Sequence, residues 1–198
     1  MSEHYIITIS REFGSLGRPI ARRMSEILGI MYYDRDIVEE VSKQLQLPVP
    51  TISDVEERAP GSYFSMRFPL GNMTSDLQNK VFRAQQDIIT ELADRESCII
   101  VGRCADYVLR EKKNLMRVYI YTSYENKYDN CVNNLAMTPR EAKKMIRDVD
   151  QARIAYHMRY AGYMPDENKD IQIDSAFLGV EGTAWYLSQA AKHRFGVE

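Results

Sequence analysis

Cysteine is scarce in this chain, with three in 198 residues, Cys98, Cys104 and Cys131. Their odd number argues against a disulfide framework, and their spacing lacks the short pairs a structural zinc site uses. They fit a reducing compartment. Histidine is as rare, and His4, His157 and His193 stand isolated with no role assigned to them. No apolar run approaches the roughly 20 residues a membrane helix needs, and the N-terminus lacks a signal-peptide pattern. Charge of one sign is missing too: the formal net charge of −2 points to neither nucleic acid nor a membrane surface as partner. Repeats and low-complexity tracts are absent. The expectation is a cytoplasmic protein with a small-molecule partner. Hydrophobic residues at 44% and charged residues at 27% suit one well-filled core, with or without a small lobe.

The stretch from Tyr5 to Gly29 carries the clearest pattern. Tyr5-Ile6-Ile7-Thr8-Ile9 is an apolar, β-rich run and reads as a buried strand. A glycine-bearing loop, Ser10 to Arg18, follows. Ile20, Met24, Ile27 and Leu28 then recur at helical spacing, with Arg22, Arg23 and Glu26 opposite and Gly29 placed to end the helix. Strand, glycine loop and helix aim backbone N–H groups and the positive helix end at a phosphate. Gly14 and Gly17 permit close approach of the chain, and Arg11 and Arg18 add charge. A tight turn with a solvated arginine is the plainer alternative.

Further along, apolar strands are expected at Ile30–Tyr33, Cys98–Val101, Met116–Tyr121 and Asp170–Asp174. Helices are expected at about Asp36–Leu45, Lys80–Arg95, Ala105–Arg110, Ser123–Leu135, Thr138–Tyr160 and Val180–Lys192. Thr138-Pro139-Arg140-Glu141 has the form of a capped helix start. Residues 46–79, broken by prolines and glycines yet rich in Phe and Met, read as a lobe over a ligand site or a partner-facing arm. Strands alternating with amphipathic helices imply an α/β fold with a mostly parallel sheet covered on both faces. Ligands in such sheets bind beyond the carboxyl ends of the strands. Ser10–Arg18, Asp34-Arg35, Gly102-Arg103 and Asp174-Ser175 all fall there.

The segments ITISREFGSLGR, YYDRD, IIVGRCADYVL and IDSAFLGVEG resemble those of the cytidylate-kinase-like family, relatives of the nucleoside monophosphate kinases. The similarity covers nearly the whole chain. It implies a three-layer P-loop NTPase-like fold with five parallel strands, a helical acceptor lobe (46–79) and a lid region (123–165) in a single domain over 1–198. It also implies ATP and Mg²⁺ as cofactors and γ-phosphoryl transfer to a nucleoside monophosphate, with CMP one candidate, or to a related small acceptor. On this reading Gly14, Ser15, Leu16, Gly17, Arg18 and Arg11 hold the donor phosphates. Asp34, Arg35, Arg103 and Asp106 hold the acceptor, and Arg18, Arg147 and Arg153 act on the transferring group.

The residues support parts of this directly. Phosphoryl transfer needs amide donors and cations around the equatorial oxygens. Arg103, past a buried strand and a glycine, suits bidentate phosphate binding, with an ion pair to Asp106 or Glu111 as the alternative. Asp34 suits either an acceptor contact or a helix cap. Asp106 has the weaker claim. Arg147, Asp150 and Arg153 follow at three-residue spacing on the lid helix, a pattern a solvated basic face also gives.

The loop departs from G-x-x-x-x-G-K-[ST]. Glu12 stands at the first glycine, Arg18 at the lysine and Pro19 at the hydroxyl that ligates Mg²⁺. Cys131 to Asn134, ahead of the lid helix, lack arginine. No protein ligand for the metal stands out. A non-catalytic nucleotide- or phosphate-binding module with a degenerate loop is therefore the second reading.

Overall fold

The computed structural model describes residues 4–49 and 74–197. Five strands, β1 (Ile6–Arg11), β2 (Met31–Tyr33), β3 (Cys98–Val101), β4 (Leu115–Tyr121) and β5 (Ile171–Asp174), form one sheet in the order β2-β3-β1-β4-β5. All four pairings are parallel, with Ile9 in register with Val101 on one side and Val118 on the other. Because β1 is central, it must be apolar on both faces, and its first five residues are buried. The helices are α1 (Gly17–Leu28), α2 (Arg35–Leu45), α3 (Thr74–Arg95), α4 (Ala105–Val108), α5 (Tyr124–Asp129), α6 (Pro139–Tyr160) and α7 (Ser175–Phe195).

Alternation along the strands divides the core in two. Ile7, Ile9, Ile99, Val101, Met116 and Val118 face α1 and α7, where Ile20, Met24, Ala184 and Leu187 close the layer. Ile6, Cys98 and Ile100 face α2 and α3, packed by Ile37, Val41, Val81 and Ile89. The result is three layers, helix on sheet on helix. Every strand points the same way, so Arg11, Asp34, Gly102, Thr122 and Asp174 arrive at one edge.

Local signals place most boundaries. Gly29 ends α1 in the left-handed region with its N–H on the Ser25 carbonyl. Thr138 accepts from the Glu141 N–H while Glu141 reaches back to the Thr138 N–H at 2.9 Å, a complete capping box ahead of Pro139. Asp174 caps α7 through the Ala176 N–H at 2.9 Å. Three expectations on extent are corrected. Helix α3 begins at Thr74, six residues before Lys80. The expected Ser123–Leu135 helix is α5 followed by a π-helical turn, Asn130–Asn134. The last helix starts at Ser175 rather than Val180, with a break at Gly179, whose φ of 64° no helix uses. Of residues 46–79, the stretch 50–73 lies outside the described residues, including the Tyr63–Met73 aromatic and methionine cluster. No helix among the described residues is long and apolar enough to cross a membrane.

Candidate active site

Arg11 is the hub of the strand-end edge. It is the last residue of β1, and its stem lies against Gly17: a Cβ added at Gly17 would come within 2.8 Å of the Arg11 Cβ. Its guanidinium lies over Gly102, where an added Cβ would collide with Nη1. Both glycines are therefore needed for room, and Gly102, with φ of 76°, for conformation as well. The Arg11 head sits 3.7 Å from Asp34, and its carbonyl accepts from Arg153 at 3.1 Å. Burial first, then the neighbouring Arg153, pull its pKa well below the ordinary guanidinium value, against the opposing pull of Asp34.

Around Arg11 lies a small cavity of about 90 Å³, lined by Ser10, Arg18, Gly102, Arg103, Arg153 and His157 among others. That is far below the roughly 300–1,000 Å³ of a drug-sized site, so this part suits one anionic group rather than a whole nucleotide. Four arginines thus reach one cavity from three elements and a loop. Asp34 is the acid among them. It is 2% exposed, pairs with Arg18 and Arg11, and accepts from the Tyr32 hydroxyl at 3.3 Å. It stands at the start of α2 yet makes no side-chain cap bond, so the capping alternative does not form and the carboxylate turns to the arginines. Burial and then the Asp34 charge push the Tyr32 hydroxyl up to about 12, which keeps it a donor.

The β3 end is strained where it meets the cavity. Gly102, Arg103 and Cys104 take φ values of 76°, 58° and 53° in succession. Left-handed backbone at two consecutive non-glycine residues costs free energy, and such strain concentrates at functional sites. It sets Arg103 on the cavity wall while Gly102 donates its N–H to the Ile9 carbonyl at 3.0 Å.

The phosphate loop is folded as a turn ahead of α1. Gly14 has φ of 76° and Leu16 of 58°. The Ser15 hydroxyl is fully buried and donates to the Glu12 carbonyl at 2.9 Å, so it serves the loop itself. Leu16, Gly17 and Arg18 open the helix, where the first N–H groups have no partner inside it. Glu12, at the position of the first glycine in the loop pattern, is not left as bare negative charge. Its carboxylate accepts from the Thr122 N–H at 3.2 Å and from the Lys127 ammonium at 2.9 Å. Lys127 also meets Asp150 of α6 at 3.1 Å, and Asp150 accepts from the Phe13 N–H at 2.6 Å. Burial lowers the Lys127 pKa, but the Glu12 and Asp150 contacts outweigh it and hold the value above normal.

A second network lies three residues beyond Arg103. Asp106 is 2% exposed and accepts from Lys169 at 2.7 Å and from the Tyr163 hydroxyl at 3.3 Å, with the His157 ring at 3.2 Å. Burial alone raises its pKa, but His157 and Lys169 more than reverse that and leave it at about 2.

The structure thus brings Arg11, Arg18, Arg103, Arg153 and Asp34 together. Arg35, Asp106 and Arg147 lie apart from them. Arg35 is exposed at the start of α2. Asp106 is turned into its own network. Arg147 is 65% exposed and pairs with Asp148 at 2.9 Å, away from the cavity. Arg11, expected with the donor loop, packs on Gly17 of that loop and reaches over Gly102 at the end of β3. Lys127 and Asp150 were not expected as site residues. Lys127 sits in a polar stretch with no glycine, motif or apolar period to mark it.

A five-stranded parallel sheet in this order, with a glycine loop before α1 and arginines at the strand ends, defines a P-loop kinase-like α/β protein. The profile of the cytidylate kinase-like family matches residues 6–176, and the chain belongs to that family. Among solved structures, an uncharacterized protein from Eubacterium ventriosum ATCC 27560 is 21% identical, with a TM-score of 0.69 over 98% of this chain and 100% of the other. A gluconokinase from Sinorhizobium meliloti 1021 is 15% identical, at 0.55 over 98% and 97%. Shikimate kinase from Acinetobacter baumannii, solved with shikimate, is 13% identical, at 0.53 over 96% and 91%. At these identities the likeness is one of fold. None of the curated protein sequences matches the chain.

Proposed function

We propose that the chain is a nucleotide kinase-like phosphotransferase that moves the γ-phosphoryl group of ATP to a nucleoside monophosphate, CMP among the candidates, or to a related small acceptor. The observation that carries this reading is the meeting of Arg11, Arg18, Arg103 and Arg153 at one cavity beyond the strand ends. Guanidiniums gathered at one cavity offer the forked, charged donors that a phosphate pairs with. The family membership supports kinase chemistry, and the cavity lies beside the loop that would hold the donor.

In this reading the N–H groups at the start of α1 and Arg18 hold donor phosphate oxygens. Arg11 and Arg103 orient the acceptor phosphate, and Arg153 spans the two. The residues fit a nucleotide's phosphates: the cations are held by buried contacts, and a helix start faces the same edge. Mg²⁺, which neutralises charge between the β- and γ-phosphates in such reactions, would be held by phosphate oxygens and water, as this ion commonly is. Among the described residues no group of three His, Cys, Asp or Glu side chains converges to cage it. Lys127 adds a cation on the lid side, where the Cys131–Asn134 segment has none.

A panel of nucleoside monophosphates, shikimate and gluconate with ATP and Mg²⁺, followed by ADP release, tests the proposal. One acceptor should raise ADP release well above the ATP-only rate, and Arg103→Ala should abolish the increase. No stimulation by any acceptor would count against it. The second reading, a non-catalytic phosphate-binding module, draws on Pro19 and on Arg18, which pairs with Asp34. It predicts ATP binding in calorimetry with no turnover.

A further inference from the structure

We propose that Lys127 is a positioning residue: it neutralises Glu12 at the head of the phosphate loop and ties that loop to the lid helix α6 through Asp150. The inference rests on the reading above that the loop takes phosphates, and it explains how a glutamate stands where a glycine is usual.

Three independent contacts converge on the first half of the loop. The Gly14 Cα lies directly on α5: a Cβ there would sit 2.9 Å from the Lys127 carbonyl and 3.2 Å from the Cys131 sulfur. The Gly14 carbonyl accepts from the Asn130 side chain at 2.9 Å. The Lys127 ammonium, its side chain 11% exposed, then joins Glu12 at 2.9 Å and Asp150 at 3.1 Å. Asp150 in turn takes the Phe13 N–H, and three residues on, Arg153 reaches the Arg11 carbonyl. The chain of contacts therefore runs from α5 through the loop to α6 and ends at the arginine cavity.

The electrostatics give Lys127 a task beyond packing. Glu12 and Asp150 are two carboxylates beside a loop that must receive an anion. With the ammonium between them, one of the two negative charges is cancelled locally. Without it, both charges would face a phosphate at partial burial, where screening by water is weak. The clasp engages Phe13 and Gly14 and leaves Leu16 to Arg18, at the helix start, for ligand.

Calorimetric titration of ATP with Mg²⁺ into the full chain reads the effect. Lys127→Met should weaken ATP about tenfold, because Glu12 then loses its cation and Asp150 keeps only Arg153, 3.9 Å away. Glu12→Gln combined with Lys127→Met brings the cluster back to its original net charge and should recover affinity to within about twofold, although the ion pair is still gone. Lys127→Arg keeps the charge and should lose less than about threefold. Glu12→Gln alone covers the case in which Lys127→Met does not fold, and should tighten ATP about twofold. A purely structural role predicts that the double variant stays as weak as the single one. That result, a Lys127→Met protein that binds like the native one, or a Glu12→Gln protein that binds no tighter than it, overturns the proposal. A native chain that binds no ATP overturns the phosphate reading itself. Native binding with unresponsive variants overturns only the role of Lys127.

Discussion

Arg103 and Asp106 are three residues apart on the same strained turn, yet they belong to opposite kinds of polar cluster. Around Asp106, charges balance: Lys169 and His157 meet the carboxylate, Tyr163 adds a hydroxyl, and the Lys169 side chain is fully buried. Around Arg103, Arg11, Arg18 and Arg153 line one cavity, with Asp34 on Arg11 and Arg18 and Asp150 3.9 Å from Arg153. Buried ion networks are retained where they close on themselves. Arginines gathered at one cavity are a common way to hold an anion, and the proposed function draws on that gathering. The turn from Gly102 to Ala105 therefore separates a closed ion network from the cavity of the proposed site.

Five substitutions and one titration would break or sharpen that contrast. The largest effect on stability is expected at the balanced network. Asp106→Ala leaves the Lys169 ammonium buried without its carboxylate, and urea unfolding should show a loss of about 3–5 kcal/mol. The same network sets an acid limit. The Asp106 pKa of about 2 lies below the ordinary 3.8, so its stabilisation is complete above about pH 4 and is lost as pH falls toward 2. The loss should be on the order of 2 kcal/mol, and Asp106→Asn should flatten that part of the profile. Gly102→Ala comes next. It forces a Cβ into a φ of 76° and onto the Arg11 guanidinium, which Asp34 holds in place. It should cost about 1–2 kcal/mol and weaken anion binding with it. Arg11→Met inverts the pattern of Asp106→Ala. Removing one of four crowded cations should change unfolding by less than about 1 kcal/mol, while anion affinity drops at least about tenfold. Smallest of all, Arg147→Ala should shift stability by less than about 0.5 kcal/mol and leave ligand affinity within about twofold, as its exposed pair with Asp148 suggests.

The sequence makes some of this legible and hides the rest for physical reasons. Cys98–Val101 is a strand in the structure as the apolar run predicts, because a strand buried on both faces must be written in β-branched residues. The Thr138 box and Gly29 cap act locally, so their spacing alone reveals them. The placement of Arg103 at the strand-end cavity could be read because a glycine after a buried strand marks where the backbone turns. Asp34 could not be decided from sequence: cap and ligand contact use the same residue type, and only its long-range meeting with Arg11 and Arg18 separates them. Arg147 misled through helix geometry. A three-residue step falls about 60° short of a full turn, so two steps carry Arg147 about 120° from Arg153. Lys127 was invisible because nothing in Tyr124–Asp129 indicates that Glu12, more than a hundred residues earlier, lies across from it.

The claim that the strand-end arginines form a binding site is tested most directly by titrating CMP and the other nucleoside monophosphates into the native chain and into Arg103→Ala, with heat as the readout. The account predicts saturable binding of at least one monophosphate, weakened about tenfold or more in the variant while its unfolding midpoint stays within experimental scatter of the native value. Binding that survives Arg103→Ala unchanged, or no binding of any monophosphate to the native chain, would contradict it.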